Sequence, residues 1–310
     1  MKQYQSNIKK AKKYLDNNNC IAIPTETVYG LAANAYSEIA TSKIFSLKKR
    51  AKKNPLIVHY YNLKMLENDC HINKDFNKLY KKFCPGPLTF VLKLKKGSMI
   101  SKKVTNNKKT LAVRFPKHLL TRKLLKLLNY PLAAPSANIS TKISPVSKED
   151  VKDEFGKKIK FILDGGRSKI GLESTIVNLT NKPEILRLGG IENSKINKVL
   201  KTNLKFNKKN KKITVPGQQR VHYSPGIPIR LNVNKPKPNE AFILIKKRKL
   251  TDNKYYYLTK KKNLKEAARN LYKTLRTIKK RNFKSIAIEK IPNTGFGQAI
   301  NDRLIRASKT

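Results

Sequence analysis

The chain has 310 residues, 39% of them hydrophobic, which suffices for one large domain and a smaller second one. Seventy Lys and Arg against nineteen Asp and Glu give a formal net charge of +51; such a charge attracts polyanions such as nucleotides or RNA, and codon bias toward Lys, Asn and Ile leaves the same mark. Three widely spaced cysteines (Cys20, Cys70, Cys84) make no disulfide framework and fit a reducing cytoplasm, and no apolar run has signal-peptide or bilayer-spanning form, so secretion and membrane insertion are excluded as expectations.

In chain order, Ile8, Ala11 and Leu15 stand at helical spacing behind Ser6, a candidate cap, and lead into a strand over 20–23. Short apolar runs predict further strands over 56–60, 88–94, 111–115, 131–134, 161–163, 175–179 and 185–188, with helices over 39–47 and 119–128. Strands alternating irregularly with helices predict an α/β fold with a twisted mixed sheet. From 201 to 219 the apolar pattern lapses into Lys and Asn before Pro216-Gly217, as a linker does. It restarts with strands predicted over 229–233, 241–245, 255–258 and 285–291 and helices over 264–280 and 296–307. The division is therefore 1–200, a linker over 201–228, and a smaller α/β domain over 229–310.

Absences narrow the chemistry. Gly166 and Gly171 have phosphate-loop spacing, but Leu172-Glu173 follow where Lys-Ser/Thr is required; there is no Gly-x-Gly-x-x-Gly, and His59, His71, His118 and His222 show no metal-ligand spacing. What remains is a series of small, hydroxyl-rich and basic segments just after predicted strands, where open α/β sheets build their sites. Pro24-Thr25-Glu26-Thr27 offers hydroxyls and a carboxylate, or a capped helix start. Lys48-Lys49-Arg50 through Asn54-Pro55 feeds cations toward a strand, suiting a triphosphate or a solvated face. Ala133-Ala134-Pro135-Ser136-Ala137-Asn138, with Ser144-Pro145 beyond, lets a ligand approach the backbone and supplies donors. Asp164-Gly165-Gly166 and Gly171-Leu172-Glu173-Ser174-Thr175 repeat that chemistry, so convergence of these loops would make a phosphate-accepting cleft without a Walker loop.

Taken together, 24–32, Lys48 with Arg50, 55–59, Pro85-Gly86-Pro87-Leu88-Thr89, Val113-Arg114-Phe115-Pro116 with His118, 131–140, 164–175 and Leu186-Arg187 resemble, in order, the signature blocks of YrdC-type threonylcarbamoyl-AMP synthases. The segment from Pro216 to Pro225 resembles the linker of the longer, two-domain branch, and Asn301-Asp302-Arg303-Leu304-Ile305-Arg306-Ala307 resembles the end of its extra domain. Two departures, Ala51 and Leu188 where the family usually has proline, loosen the backbone without removing a polar group.

The resemblance implies a twisted mixed sheet of YrdC type and synthesis of threonylcarbamoyl-AMP and pyrophosphate from L-threonine, bicarbonate and ATP, toward threonylcarbamoyladenosine in tRNA. It assigns Thr27, His59, Arg114, Ala134 and Ser174 to threonine, with Arg114 the carboxylate clamp, and Arg50, Asn54, Thr110, Ser136, Asn138, Ser144 and Arg187 to ATP. Lys48 is expected near the phosphates, Mg2+ to arrive with ATP, and the linker to bring His222 or Tyr223 over the nucleotide. No general base is assigned, since the attacking carbamate is already an anion. An ordinary ion-pair role for Arg114 and a plain strand-end role for His59 stay open. Arg269, Arg276 and Arg303 on predicted helices read equally as solvated or as RNA-binding, and the second domain as a lid support or a surface for the downstream tRNA threonylcarbamoyl-transferase components. Direct tRNA contact is left open. The rival is a non-catalytic RNA- or tRNA-binding protein of the same fold, which shape-driven recognition would leave without need of this hydroxyl set.

Overall fold

A computed structural model describes residues 2–206, 221–248 and 252–309. The first region runs α1 (Lys2–Asp16), β1 (Ile21–Ile23), β2 (Gly30–Asn34), α2 (Glu38–Lys48), β3 (Ile57–His59), α3 (Leu63–Glu67), α4 (Lys74–Phe83) and β4 (Leu88–Lys93). It continues through α5 (Lys102–Thr105), β5 (Thr110–Arg114), α6 (Leu119–Leu127), β6 (Leu132–Ala133), α7 (Lys148–Phe155), β7 (Thr175–Asn178), β8 (Glu184–Arg187) and α8 (Asn193–Leu200). Its eight strands form one sheet in the order β1-β2-β6-β3-β5-β4-β7-β8. Only β3/β5 and β4/β7 pair in parallel, so the sheet is mixed, as expected.

The second region carries β9 (Ile229–Leu231), β10 (Glu240–Lys246), β11 (Tyr255–Thr259), α9 (Leu264–Lys279), β12 (Ser285–Ile288) and α10 (Phe296–Ala307). Its four strands are all parallel, in the order β11-β10-β12-β9. One apolar core joins the two sheets, running from Leu188 and Ile191 to Leu271, Tyr272 and Leu304, while Ile8, Ala11 and Leu15 of α1 pack with Leu120 and Leu124 of α6 on a separate core. Polar ties reinforce the junction: Arg276 donates to the Ile143 carbonyl at 2.6 Å, and Arg167 to the Arg269 carbonyl at 2.9 Å. Gly171 sits at φ +77° where an added Cβ would come within 2.7 Å of the Arg269 backbone, so this approach of α9 requires glycine.

Several expectations are corrected. Ser6 does not cap α1, which already runs from Lys2, because Lys and Gln continue a helix readily and Ser6 is an exposed position within it. The segment 30–34 is a strand, where residues up to 32 read as part of a ligand-holding loop or a capped helix start; Gly-Leu-Ala-Ala is buried on both faces and so shows no alternation. The predicted strand 161–163 is a single bridge of Ile162 to Ala22. Helix α4 escaped notice although Phe76, Leu79, Tyr80 and Phe83 have helical spacing and Asn73 caps it by accepting from the Phe76 N–H. Half of the predicted linker, 207–220, lies outside the described residues.

Candidate active site

The loop ends of this mixed sheet converge on a narrow buried pocket. After β1, the Thr25 hydroxyl accepts from the backbone N–H groups of Thr27 and Val28 at 3.1 and 3.2 Å and donates to the Val28 carbonyl at 2.6 Å. That tight turn spends the one Thr25 proton, so the 2.8 Å contact with Thr27 takes its proton from Thr27, whose oxygen keeps its lone pairs. At the C-terminal end of β5, Arg114 Nη2 pairs with Glu26 Oε1 at 2.7 Å, and Glu26 Oε2 accepts from the Lys117 N–H at 2.9 Å. Arg114 Nε is buried without a partner among the described residues. His59, at the end of β3, is 2% exposed, and burial followed by the Arg114 charge pushes its pKa well below the usual value, so its ring is neutral. Its Nδ1 also lacks a partner.

Ser174, just before β7, lines the same pocket, held by Thr89 at 2.7 Å and by Arg187 Nη2 at 3.0 Å. Gly189 permits this placement, since a Cβ there would come within 2.3 Å of the Glu173 carbonyl oxygen. Arg50 donates to the carbonyls of Asn54 and Pro55 at 3.0 and 2.9 Å; burial and then the Arg187 charge bring its pKa down to about 9. A buried guanidinium that feels the charge of a second one favours an anion beside it. His222 and Tyr223 close the pocket, with ring centroids 4.0 Å apart, and the chain is pinned there by Ser224 N–H to the Thr141 carbonyl at 2.9 Å. Burial outweighs every other influence on His222 and lowers its pKa to about 3, so it too is neutral.

Ten of the expected site residues thus line one pocket: Thr27, His59, Arg114, Ala134 and Ser174 with Arg50, Ser136, Arg187, His222 and Tyr223. Five do not. The Lys48 ammonium is turned to the carbonyls of Ser136 and Asn138, at 2.6 and 2.5 Å, and burial drives its pKa well down, so it braces the Ser136 loop instead of facing the pocket. Asn138 ties that loop through the Ile139 and Lys142 carbonyls. Asn54 is fully buried with both amide atoms unpartnered among the described residues, Ser144 donates to Glu173 at 2.6 Å, and Thr110 stands at the far end of β5 from Arg114. Arg50 also lines an outer groove of about 560 Å³ beside Phe45, Lys52, Lys102 and Asn106.

Sequence reasoning missed Glu26 and Glu173 as individual site residues, although both lie in the quoted segments. It also misread the second domain's arginines. Arg303 is 1% exposed and its Nε lies 3.0 Å from Glu173 Oε2, and Tyr272 bonds the same carboxylate; of the three arginines only Arg269 is solvated. No local pattern marks Arg303, because its partner is 130 residues away.

A family profile described as telomere recombination, covering Sua5, YciO and YrdC, matches residues 13–189, and one described as threonylcarbamoyl-AMP synthase, C-terminal domain, matches 191–309. The threonylcarbamoyl-AMP synthase of Pyrococcus abyssi is 36% identical, covering 97% of this chain and 94% of its own. The chain belongs to this family. Its function is that of a threonylcarbamoyl-AMP synthase, a nucleotidyl-transferring enzyme acting toward tRNA threonylcarbamoyladenosine, and the matches do not favour the non-catalytic RNA-binding alternative. The Bacillus subtilis synthase is 34% identical, with 97% and 92% of the two chains covered. The crystal structure of P. abyssi Sua5 complexed with L-threonine superposes with a TM-score of 0.89 at 34% identity, covering 97% and 94% of the chains. The two-domain synthase architecture is therefore shared throughout the described chain. No helix among the described residues is long and apolar enough to cross a membrane.

Proposed function

We propose that the pocket binds L-threonine on its Arg114 wall and the phosphates of ATP on its Arg50 and Arg187 wall. The observation that carries this is the convergence of both sets in one buried space: a guanidinium with an unpartnered N–H, a neutral histidine and hydroxyls, together with the buried guanidiniums of Arg50 and Arg187, of which Arg50 is depressed by burial and by the Arg187 charge. Threonine presents a carboxylate, an amine and a hydroxyl. Arg114, held by Glu26, meets the carboxylate; Thr27, His59 and Ser174 supply oriented atoms for the other two groups. Arg50 anchors the phosphates where the inner pocket meets the outer groove, so the rest of the nucleotide extends along the face lined by Phe45, Lys52, Lys102 and Asn106.

The amine condenses with bicarbonate to give the carbamate and water. A carbamate oxygen then attacks the α-phosphorus, forming the mixed anhydride as the bond to the β-phosphate oxygen breaks and pyrophosphate leaves toward Arg50 and Arg187. The chain's work in this scheme is to position the carbamate, neutralise the leaving group and exclude water, the last through His222 and Tyr223. The cavity measures only about 40 Å³, so this roof must swing away for ATP to enter and return for the reaction.

The pocket's two carboxylates, Glu26 and Glu173, are both engaged by guanidiniums, and the described residues hold no group of three metal-ligating side chains. They therefore do not fit a resident metal, and Mg2+ belongs to the ATP phosphates as part of the substrate. The anhydride is the acyl donor for the tRNA-modifying transferase components that follow. Incubation with 13C-bicarbonate, L-threonine and ATP tests the reading by mass spectrometry: threonylcarbamoyl-AMP carrying one heavy carbon is expected, and AMP alone, with no adduct, would overturn it.

A further inference from the structure

Away from the catalytic pocket, a cleft of about 500 Å³ lies where the second domain meets the first. Its position follows from the parallel sheet. Strands β9 and β12 are neighbours, and their last residues, Leu231 and Ile288, both line the cleft. After β9 the chain turns to one face of the sheet, where Val233 packs with Phe242 and Ala287; after β12 it enters α10, whose Ile300 and Leu304 join the core on the other face. Neighbouring parallel strands whose exits part in this way leave a crevice at their carboxyl ends, the place where open α/β sheets bind ligands. Leu188, Asn193 and Phe206 of the first domain complete the wall.

Both carboxylates of the cleft are engaged: Glu289 accepts the Ile245 N–H at 3.0 Å and pairs with Arg248, and Asp302 pairs with Arg303 at 3.1 Å and Arg306 at 3.2 Å. Carboxamides are not. Asn193 gives Nδ2 to the Leu204 carbonyl at 2.6 Å and leaves Oδ1 buried without a partner among the described residues. Asn301 gives Nδ2 to the Ile291 carbonyl at 3.1 Å, and the Gln298 side chain, one turn earlier on α10, makes no hydrogen bond among the described residues. Carboxamides set among Leu188, Leu231, Ile288 and Leu304 suit a flat heterocycle with donors and acceptors on its edge, and Asn and Gln meet the amino and ring nitrogens of adenine in this way. Phe206 adds an aromatic surface of the kind on which bases stack, and the exposed Lys205 and Lys290 supply charge for a phosphate at the rim. We propose that this cleft is a second, non-catalytic nucleotide site that takes AMP, its base among the carboxamides and its phosphate at Lys205 and Lys290. AMP is what a mixed anhydride of this kind leaves behind: when its acyl group passes to an amine, the acyl–oxygen bond breaks and the adenylate departs with the oxygen. The cleft thus holds the nucleotide that the consuming acyl transfer releases.

The test is calorimetry of the full chain with its catalytic pocket saturated by a non-hydrolysable ATP analogue and L-threonine, using AMP, adenosine and inorganic phosphate as probes. AMP is expected to bind under these conditions, adenosine about tenfold more weakly, and phosphate not measurably. Gln298→Trp, which fills the cleft, is expected to abolish AMP binding. Lys205→Glu with Lys290→Glu, both at exposed positions, is expected to weaken AMP about tenfold while leaving adenosine within about twofold. Both variants should keep the wild-type Kd for the ATP analogue, since neither touches the catalytic pocket. AMP binding that vanishes once the catalytic pocket is filled, or that neither variant weakens, overturns the inference. Phosphate that binds as tightly as AMP overturns the choice of a nucleotide. A chain that binds no ATP analogue overturns the catalytic reading instead, and the two variants then still decide whether AMP occupies the cleft.

Discussion

Arg114 Nη2 lies 2.7 Å from Glu26 Oε1, and the pair is buried, with side-chain exposures of 5% and 9%. Glu26 also accepts the Lys117 N–H, so the carboxylate is fixed from two directions and aims the guanidinium while Nε stays unpartnered. Arg114→Ala should therefore raise KM for threonine by roughly 30-fold or more, the cost of about 2 kcal/mol or more for losing a buried charged partner. Glu26→Gln should produce a smaller rise in threonine KM with ATP KM unchanged. Steady-state kinetics with each substrate varied checks both, and an equal rise in both KM values would speak against the assignment.

Asn54 offers a contrast between stability and function. Both of its amide atoms are buried without partners among the described residues, a cost of about 1–3 kcal/mol that an isosteric apolar side chain would relieve. Asn54→Leu should raise Tm while weakening ATP binding at least tenfold. Thermal unfolding and ATP titration on the same variant decide the matter, and a drop in Tm would show that the amide serves the fold.

Acid stability follows from the buried histidine and carboxylate. His222 has a folded pKa of about 3 against an ordinary 6.5, so below pH 6.5 the unfolded chain binds a proton that the folded chain refuses. Its stabilisation is full above pH 6.5 and declines as pH falls toward 3, by at most about 1.4 kcal/mol per pH unit. Glu173, at about 2 against 4.5, adds a loss confined to the range below 4.5. Unfolding midpoints should therefore decline from pH 6.5 to 4.5, and His222→Gln should make that segment shallower, the rest of its slope coming from His59 and His118, whose pKa values burial also lowers, while leaving the steeper acid limb.

Opening the roof should decouple the two products. With His222→Ala and Tyr223→Ala together, water reaches the mixed anhydride, and the ratio of free AMP to threonylcarbamoyl-AMP should rise severalfold while pyrophosphate release persists. Chromatography of the reaction mixture measures the ratio directly.

Much of this was legible in the sequence because the synthase signature residues sit beside strand ends, where local patterns are strong. The mixed sheet, the parallel second sheet's strands and the pocket's Thr27, Arg50, Arg114, Ser174 and Arg187 all carried such signals. Strand β2 did not, since a strand buried on both faces loses its alternation. A cation beside Arg50 suggests phosphate, whereas two backbone carbonyls take the Lys48 ammonium, a partner choice that no local pattern shows. The Glu173 to Arg303 contact has no local trace at all: it exists only once the two domains meet.

The central claim is a threonine-dependent nucleotidyl transfer in one pocket, and pyrophosphate release by the purified protein with ATP, Mg2+ and bicarbonate, with L-threonine, L-serine or neither, tests it most directly. The account predicts release that depends on both threonine and bicarbonate, is weak with serine and collapses in Arg114→Ala. Release that is absent or indifferent to threonine, from a protein that binds RNA tightly at low salt, would contradict it.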